Sequence, residues 1–143
     1  MTFIGIDFGD KRIGIAKSGG ILATGVCTLN VNGINDAFEK TVAKIEELGG
    51  EKVILGLPVN MDGTEGFRAE RTRRFAEMII EKTGLEVVFF DERLTTSQAY
   101  TYMNITDFSS KKRRGVIDTL SAQIILQGYI DNINQSNGIN QSK

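Results

Sequence analysis

Four carboxylates stand out by where they fall in the chain. Asp7 closes the apolar run TFIGID, Asp91 and Glu92 close a second run, LEVVFFDE, and Asp118 lies near the start of VIDTLSAQIILQGYI. Acids at the ends of strands are candidates for one shared site, because ligands of open α/β sheets sit off the carboxyl ends of the strands. Convergent carboxylates repel one another and need a cation. Oxygen donors of this kind suit Mg²⁺ or Mn²⁺, ions that usually arrive with phosphate substrates. Two such ions can activate water and stabilise the leaving oxygen in phosphodiester hydrolysis. For any one of these acids taken alone, a turn or cap role competes. Periodicity leaves the choice between Asp91 and Glu92 open, since neighbours in a strand face opposite sides.

The composition removes most other chemistry. The 143 residues include no His and one Cys, with 17 Lys+Arg against 18 Asp+Glu. Without His there is no Ser-His-Asp or Cys-His triad and no imidazole base. A structural zinc site of the usual kind is excluded for the same reason, and one Cys forms no internal disulfide. Cys27 lies in an apolar stretch, where burial is expected over reactivity. No apolar run reaches the ~18 residues of a membrane span. With no signal peptide expected, the chain reads as cytoplasmic and without a membrane partner.

Cationic residues flank the acids. Lys11 and Arg12 follow Asp7, and Arg68, Arg71, Arg73 and Arg74 cluster on one predicted helix. Lys111, Lys112, Arg113 and Arg114 precede Asp118. Basic groups around an acidic centre suit a phosphate backbone crossing a metal site. The plainer reading is a solvated helix face, with Glu70–Arg74 and Arg73–Glu77 as i,i+4 pairs. GIDFGDKRIG is neither a P-loop nor a dinucleotide fingerprint, because the spacing differs and a strand follows it.

These residues have to be positioned by the elements between them. Residues 2–7, 12–18 and 24–29 read as three short strands of an antiparallel meander. Residues 35–48 carry Phe38, Val42, Ile45 and Leu48 at helical spacing, with Asn35 as a candidate N-cap and Gly49-Gly50 as the stop. Residues 52–57 (KVILGL) suit a strand buried on both faces. A helix over about 65–83 follows, with Asp62 and Glu65 resembling a capping box. Residues 85–90 form another strand, 95–103 a short helix, 104–115 a loop and 116–133 the last helix. The face Asp118, Ser121, Ala122, Ile125 and Tyr129 of that helix is small and apolar, so it should pack inward and carry Asp118 with it. An inward carboxylate is costly unless it is paired or metal-bound; an Arg partner is the plain alternative. The tail 134–143 (NQSNGINQSK) is polar and expected to be disordered, leaving one domain over 1–133. The order implies a mixed five-stranded α/β sheet, antiparallel at first and parallel later, with helices on both faces.

The segments GIDFGDKRIGIAKS, ILGLPVNMDGTEGFRAERTRRFAE, FFDERLTTSQA and VIDTLSAQIILQGYI together resemble the YqgF family, also called RuvX. The resemblance runs from Phe3 to Ile130, and its MDGTEG and DERLTT strings are long and specific. It implies an RNase H-like fold and a bacterial hydrolase, described as a nuclease acting at the 5′ end of precursor 16S rRNA. By similarity to RuvC it also implies a Holliday-junction resolvase. Carried over by position, Asp7, Asp91, Glu92 and Asp118 become the catalytic acids, with Asp7, Glu92 and Asp118 as metal ligands. Arg12, Arg68, Arg71 and Arg93 fall on family motif positions and become phosphate-holding groups. RuvC-like resolvases carry an acid at the end of the fourth strand, where this chain has LGLP, so that ligand would have to come from Asp91 or Glu92.

The leading expectation is a Mg²⁺- or Mn²⁺-dependent endonuclease, with structured precursor rRNA as substrate and branched DNA as the alternative. A second class is a non-catalytic nucleic-acid-binding factor of ribosome assembly or transcription, which would share the basic clusters and need no metal. A third, an ATP-dependent sugar kinase suggested by IGIDFG, would need two such domains. Monomer and homodimer both remain open: a resolvase would act as a symmetric dimer, whereas an RNA-processing nuclease has no such need.

Overall fold

A computed structural model of the chain describes residues 1–91 and 110–141, with side chains of the last helix described over 118–135. Its strands are β1 (Phe3–Phe8), β2 (Arg12–Ser18), β3 (Ala23–Asn30), β4 (Lys52–Leu57) and β5 (Glu86–Asp91). Its helices are α1 (Ile34–Leu48), α2 (Phe67–Thr83) and α3 (Ser110–Gln141). The sheet order is β3-β2-β1-β4-β5. β1 pairs antiparallel with β2, and β2 with β3, while β4 runs parallel to both β1 and β5. The mixed sheet expected from the element order is therefore the one found. The expected helix at 95–103 lies outside the described residues.

Alternation along β1 divides the molecule into two layers. Ile4 and Ile6 point to one side, where they meet Ile13, Ile15, Val53 and Leu55 from the sheet and Ala37, Ile45, Phe75 and Ile79 from α1 and α2. Phe3 points to the other, where Ala16 and Ile54 meet Ala122, Ile125, Leu126 and Ile130 of α3. β4 alternates in the same way, which explains why KVILGL is apolar after Lys52: it lies inside the sheet and is covered on both faces.

α3 lies unusually close to the sheet because glycines stand beneath it. A Cβ on Gly5 would come 2.8 Å from the Ala122 carbonyl oxygen, and one on Gly25 2.5 Å from Thr119 Cγ2. On Gly14 it would overlap the Asp118 carbonyl oxygen outright. Ser121 and Ala122 were the expected source of close approach. Ala122 is fully buried as expected, but the room comes mainly from the strands. Polar links fix the helix along its length. The Thr28 and Thr119 hydroxyls lie 2.7 Å apart, and the Gln127 side chain accepts from Ala23 N and donates to Ile21 O.

Three local expectations are corrected. α1 starts one residue before Asn35: Gly33 is its N-cap, and Asp36 accepts instead from Asn32 N at 2.8 Å. The Asp62/Glu65 capping box does not form. Asp62 turns back within the loop to accept from Thr64 N and Thr64 Oγ1, Glu65 engages Arg73, and Gly66 caps α2 without a side-chain bond. α3 begins at Ser110, inside the expected loop, and continues through the expected tail to Gln141. The Lys and Arg residues at 111–114 are good helix formers. At the other end, Ile133 packs on the α3-side core and Asn134 Nδ2 donates to Gly20 O, so the helix is anchored past the expected stop with no proline to break it.

Gly14→Ala is expected to lower stability by about 1–3 kcal/mol, the usual cost of overpacking, because helix backbone and not a flexible side chain occupies the space. Gly19→Ala, with nothing within 4 Å of the added methyl, serves as the control. Thermal melts of the two variants check this; equal melting temperatures would contradict the close approach of α3.

Candidate active site

Asp7 and Asp118 come to one face of the sheet through Gly14. Asp7 is the cross-strand partner of Gly14 in the antiparallel β1–β2 register, and directly opposed residues share a face. That face belongs to α3, since Phe3 and Gly5, the residues of matching parity in β1, both meet it. The backbone of Asp118 rests on Gly14 itself. Two acids far apart in sequence are thus drawn together by a missing side chain.

The Asp118 side chain is 20% exposed and accepts a hydrogen bond at Oδ2 from Arg12 Nε, 2.7 Å away. The alternatives of inward orientation and arginine pairing are therefore both realised. Arg12 engages one carboxylate oxygen, and a carboxylate has a second to offer. Among the described residues, no three His, Cys, Asp or Glu side chains form a metal-holding group. Glu92, Arg93 and the side chains of Lys111, Lys112, Arg113 and Arg114 lie outside the described residues, although positions 111–114 belong to the first turns of α3.

Asp91 is the last residue of β5, paired with Leu57. Its parity is that of Val87 and Phe89, which pack on the α1/α2 side, whereas Val88 and Phe90 pack on the α3 side. Strand alternation therefore sets Asp91 on the face opposite Asp7.

The β1–β2 turn joins the site to α2. Gly9 N donates to Arg12 O at 3.0 Å, which closes the turn tightly. Asp10 projects from it to accept from Arg71 Nη1 at 2.7 Å, with Arg68 Nη2 at 4.0 Å. Asp10 thereby aligns two arginines of α2 with the turn. Phe8, stacked on Phe75 at 4.1 Å, supports the Arg71 guanidinium 5.5 Å from its ring. Lys11 is exposed in the same turn.

The loop between β4 and α2 is fastened from within and from behind. Asn60 N donates to Thr64 O and Gly63 N to Asn60 O, both at 2.9 Å, which leaves Met61 at the exposed tip. Arg73 grips Glu65 with Nε and Nη2, at 2.6 and 2.9 Å, while its guanidinium lies 4.8 Å from the Phe89 ring. These bonds hold the Glu65 carboxyl below its ordinary range. Because the folded value is the depressed one, this contribution is present above the ordinary glutamate value and lost as pH falls through the lowered one. Arg73 is thus committed to the loop. Burial raises the Cys27 thiol, which suits a packing residue and not a nucleophile.

Gly5, Gly14 and Gly25 as points of close approach escaped the sequence reading, as did the Asp10–Arg71 and Glu65–Arg73 pairs. The glycines were detectable, because glycine inside a strand marks close approach of another backbone. The ion pairs join residues of separate elements, or of a loop and the helix after it, and carry no periodic signal.

The family model described as "RuvX: Holliday junction resolvase" matches residues 1–132. A Clostridioides difficile (strain 630) protein named "Putative pre-16S rRNA nuclease" is 44% identical over 130 residues, covering 90% of this chain and 92% of that one. One of the same name from Agathobacter rectalis is 39% identical over 141 residues, covering 95% and 99%. Among solved structures, Thermus thermophilus RuvC in complex with a Holliday junction substrate superposes with a TM-score of 0.58 at 12% identity, covering 87% of this chain and 91% of that one. The fowlpox virus Holliday junction resolvase also gives 0.58 at 12% identity, covering 93% and 99%. These structural likenesses establish the RNase H-like fold.

Arg73→Gln is expected to release the loop while α2 stays folded. Amide exchange of residues 60–66 should accelerate about tenfold or more, with exchange in α2 unchanged. Unaltered loop protection would contradict the clamp.

Proposed function

This chain belongs to the RuvX family of Holliday junction resolvases, and on that premise we propose that it is a metal-dependent endonuclease whose centre is Asp7, Asp118 and Glu92. The observation that carries the reading is the convergence of Asp7 and Asp118 on the α3 face through Gly14. Strand alternation turns Asp91 away from that face, which favours Glu92 as the third acid. The donor set suits a hard divalent ion such as Mg²⁺ or Mn²⁺: carboxylate oxygens only, with no imidazole in the chain. When bound, such an ion supplies an activated water and stabilises the leaving oxygen.

The remaining roles fall to the chain. Arg12 orients the Asp118 carboxylate and places positive charge next to the scissile phosphate. Lys11, Arg68 and Arg71, set around the β1–β2 turn, hold the phosphates of the approaching strand. Arg93, Lys111, Lys112, Arg113 and Arg114 are further phosphate-binding candidates by their charge. Such groups position a backbone without reading its sequence. Precursor 16S rRNA is the proposed substrate because relatives at 39% and 44% identity carry that name. A substrate of this kind supports a cytoplasmic location. No described helix is long and apolar enough to cross a membrane.

Wild-type protein with Mn²⁺ or Mg²⁺ is expected to cut a labelled 16S leader RNA. EDTA, Asp7→Asn and Asp118→Asn should each reduce cutting about 100-fold or more with the melting temperature retained. Full activity in Asp7→Asn would refute the site. Cleavage confined to a four-way DNA junction would transfer the substrate to branched DNA, and binding without any cleavage would make the chain an assembly factor. Replacing Lys111, Lys112, Arg113 and Arg114 by Gln should weaken nucleic-acid binding and flatten its salt dependence by roughly 0.7–0.9 in log–log slope for each phosphate no longer neutralised. An unchanged slope would remove this cluster from the interface.

A further inference from the structure

On the α1/α2 side of the sheet, the start of α2 presents an aromatic ring to solvent among arginines. Phe67 is 77% exposed and lines a shallow groove with Ile34, Glu70, Arg71 and Arg74. An apolar side chain at a helix start commonly packs against its neighbouring turn; here the ring stays open. Arg68, with a side chain 78% exposed, and the exposed Arg74 flank it, while Arg71 is tied through Asp10 to the turn that follows Asp7. The charge around the ring is predominantly cationic, which favours a polyanion over an apolar protein segment. Two carboxylates oppose it: Asp10, taken up by Arg71, and Glu70, an acceptor that repels phosphate but accepts from amino groups.

We propose that this groove takes an unpaired nucleobase of the substrate strand: the base stacks on Phe67, its exocyclic amino group donates to Glu70, and Arg68 and Arg74 hold the adjoining phosphates. The inference rests on the nuclease reading and adds a subsite to it. Aromatic stacking tolerates any base and is available only to bases freed from a duplex, so the subsite selects single-stranded segments of the substrate. Glu70 adds a preference for adenine or cytosine over uracil, because a carboxylate accepts from the amino group that uracil lacks.

The test uses the full chain carrying Asp7→Asn, to prevent cleavage, and fluorescence anisotropy with labelled oligo-A, oligo-C, oligo-U and a blunt RNA duplex. Phe67→Ala should weaken single-strand binding about tenfold and leave duplex binding within about twofold, while Phe67→Tyr keeps the single-strand affinity. Glu70→Gln should narrow the gap between oligo-C and oligo-U. Equal single-strand affinity in Phe67→Ala, or equal loss on single strand and duplex, would overturn the subsite. The wild-type chain is assayed for cleavage in parallel. Metal-dependent cutting together with an inert Phe67→Ala change rejects the subsite alone, whereas a chain that neither binds nor cuts rejects the nuclease reading and the subsite together.

Discussion

The seating of the α3 backbone on Gly14 governs the geometry of the acidic site. Side chains on both surfaces normally hold a helix away from a sheet. Here Gly5, Gly14 and Gly25 remove those side chains where α3 crosses β1, β2 and β3, and the helix settles onto the strands. Close packing of this kind tolerates little error, since one methylene of excess volume has to move backbone. The same point positions both candidate acids: the residue that rests on Gly14 is Asp118, and the residue paired with Gly14 is Asp7. Packing and the proposed chemistry therefore meet at one place.

Around that point the charges are arranged in opposed pairs. Arg12 meets Asp118, Arg71 meets Asp10, and Arg73 meets Glu65. Partly exposed pairs of this type contribute little to stability, typically about 0–1 kcal/mol. Their value is positional. Each ties a loop or turn to a neighbouring element: the β1–β2 turn to α3 and α2, and the β4–α2 loop to α2. The turn and loop beside the acids lie beyond the ends of the strands, and these pairs hold them to the helices.

Much of this architecture is legible in the chain itself. β2 and β4 fall on their expected residues, and the sheet has the expected mixed pairing, because alternation and buried apolar runs are strong local signals. Asp7 and Asp118 are legible as candidates from their places on a strand end and an inward helix face. Asp91 and Glu92 are not separable in that way, since their faces depend on how β5 registers with β4, a relation that Val87 to Phe90 make visible only once the two cores are known. The ends of α3 depart from expectation because polar composition says nothing of anchoring. Ile133 and Asn134 find partners on the sheet that no local pattern announces. The Asp62/Glu65 capping motif fails because α2 starts later: Gly66 is its N-cap, so Glu65 lies before the helix and engages Arg73.

The central claim is that Asp7 and Asp118 act on one ion. A crystal of the wild-type chain soaked in Mn²⁺, with data collected for anomalous scattering, tests it most directly. The expected result is a peak within about 2.0–2.6 Å of a carboxylate oxygen from each of the two residues, lost in Asp7→Asn. A peak bound by only one of them, or Mn²⁺ found solely elsewhere on the molecule, would contradict a shared metal centre.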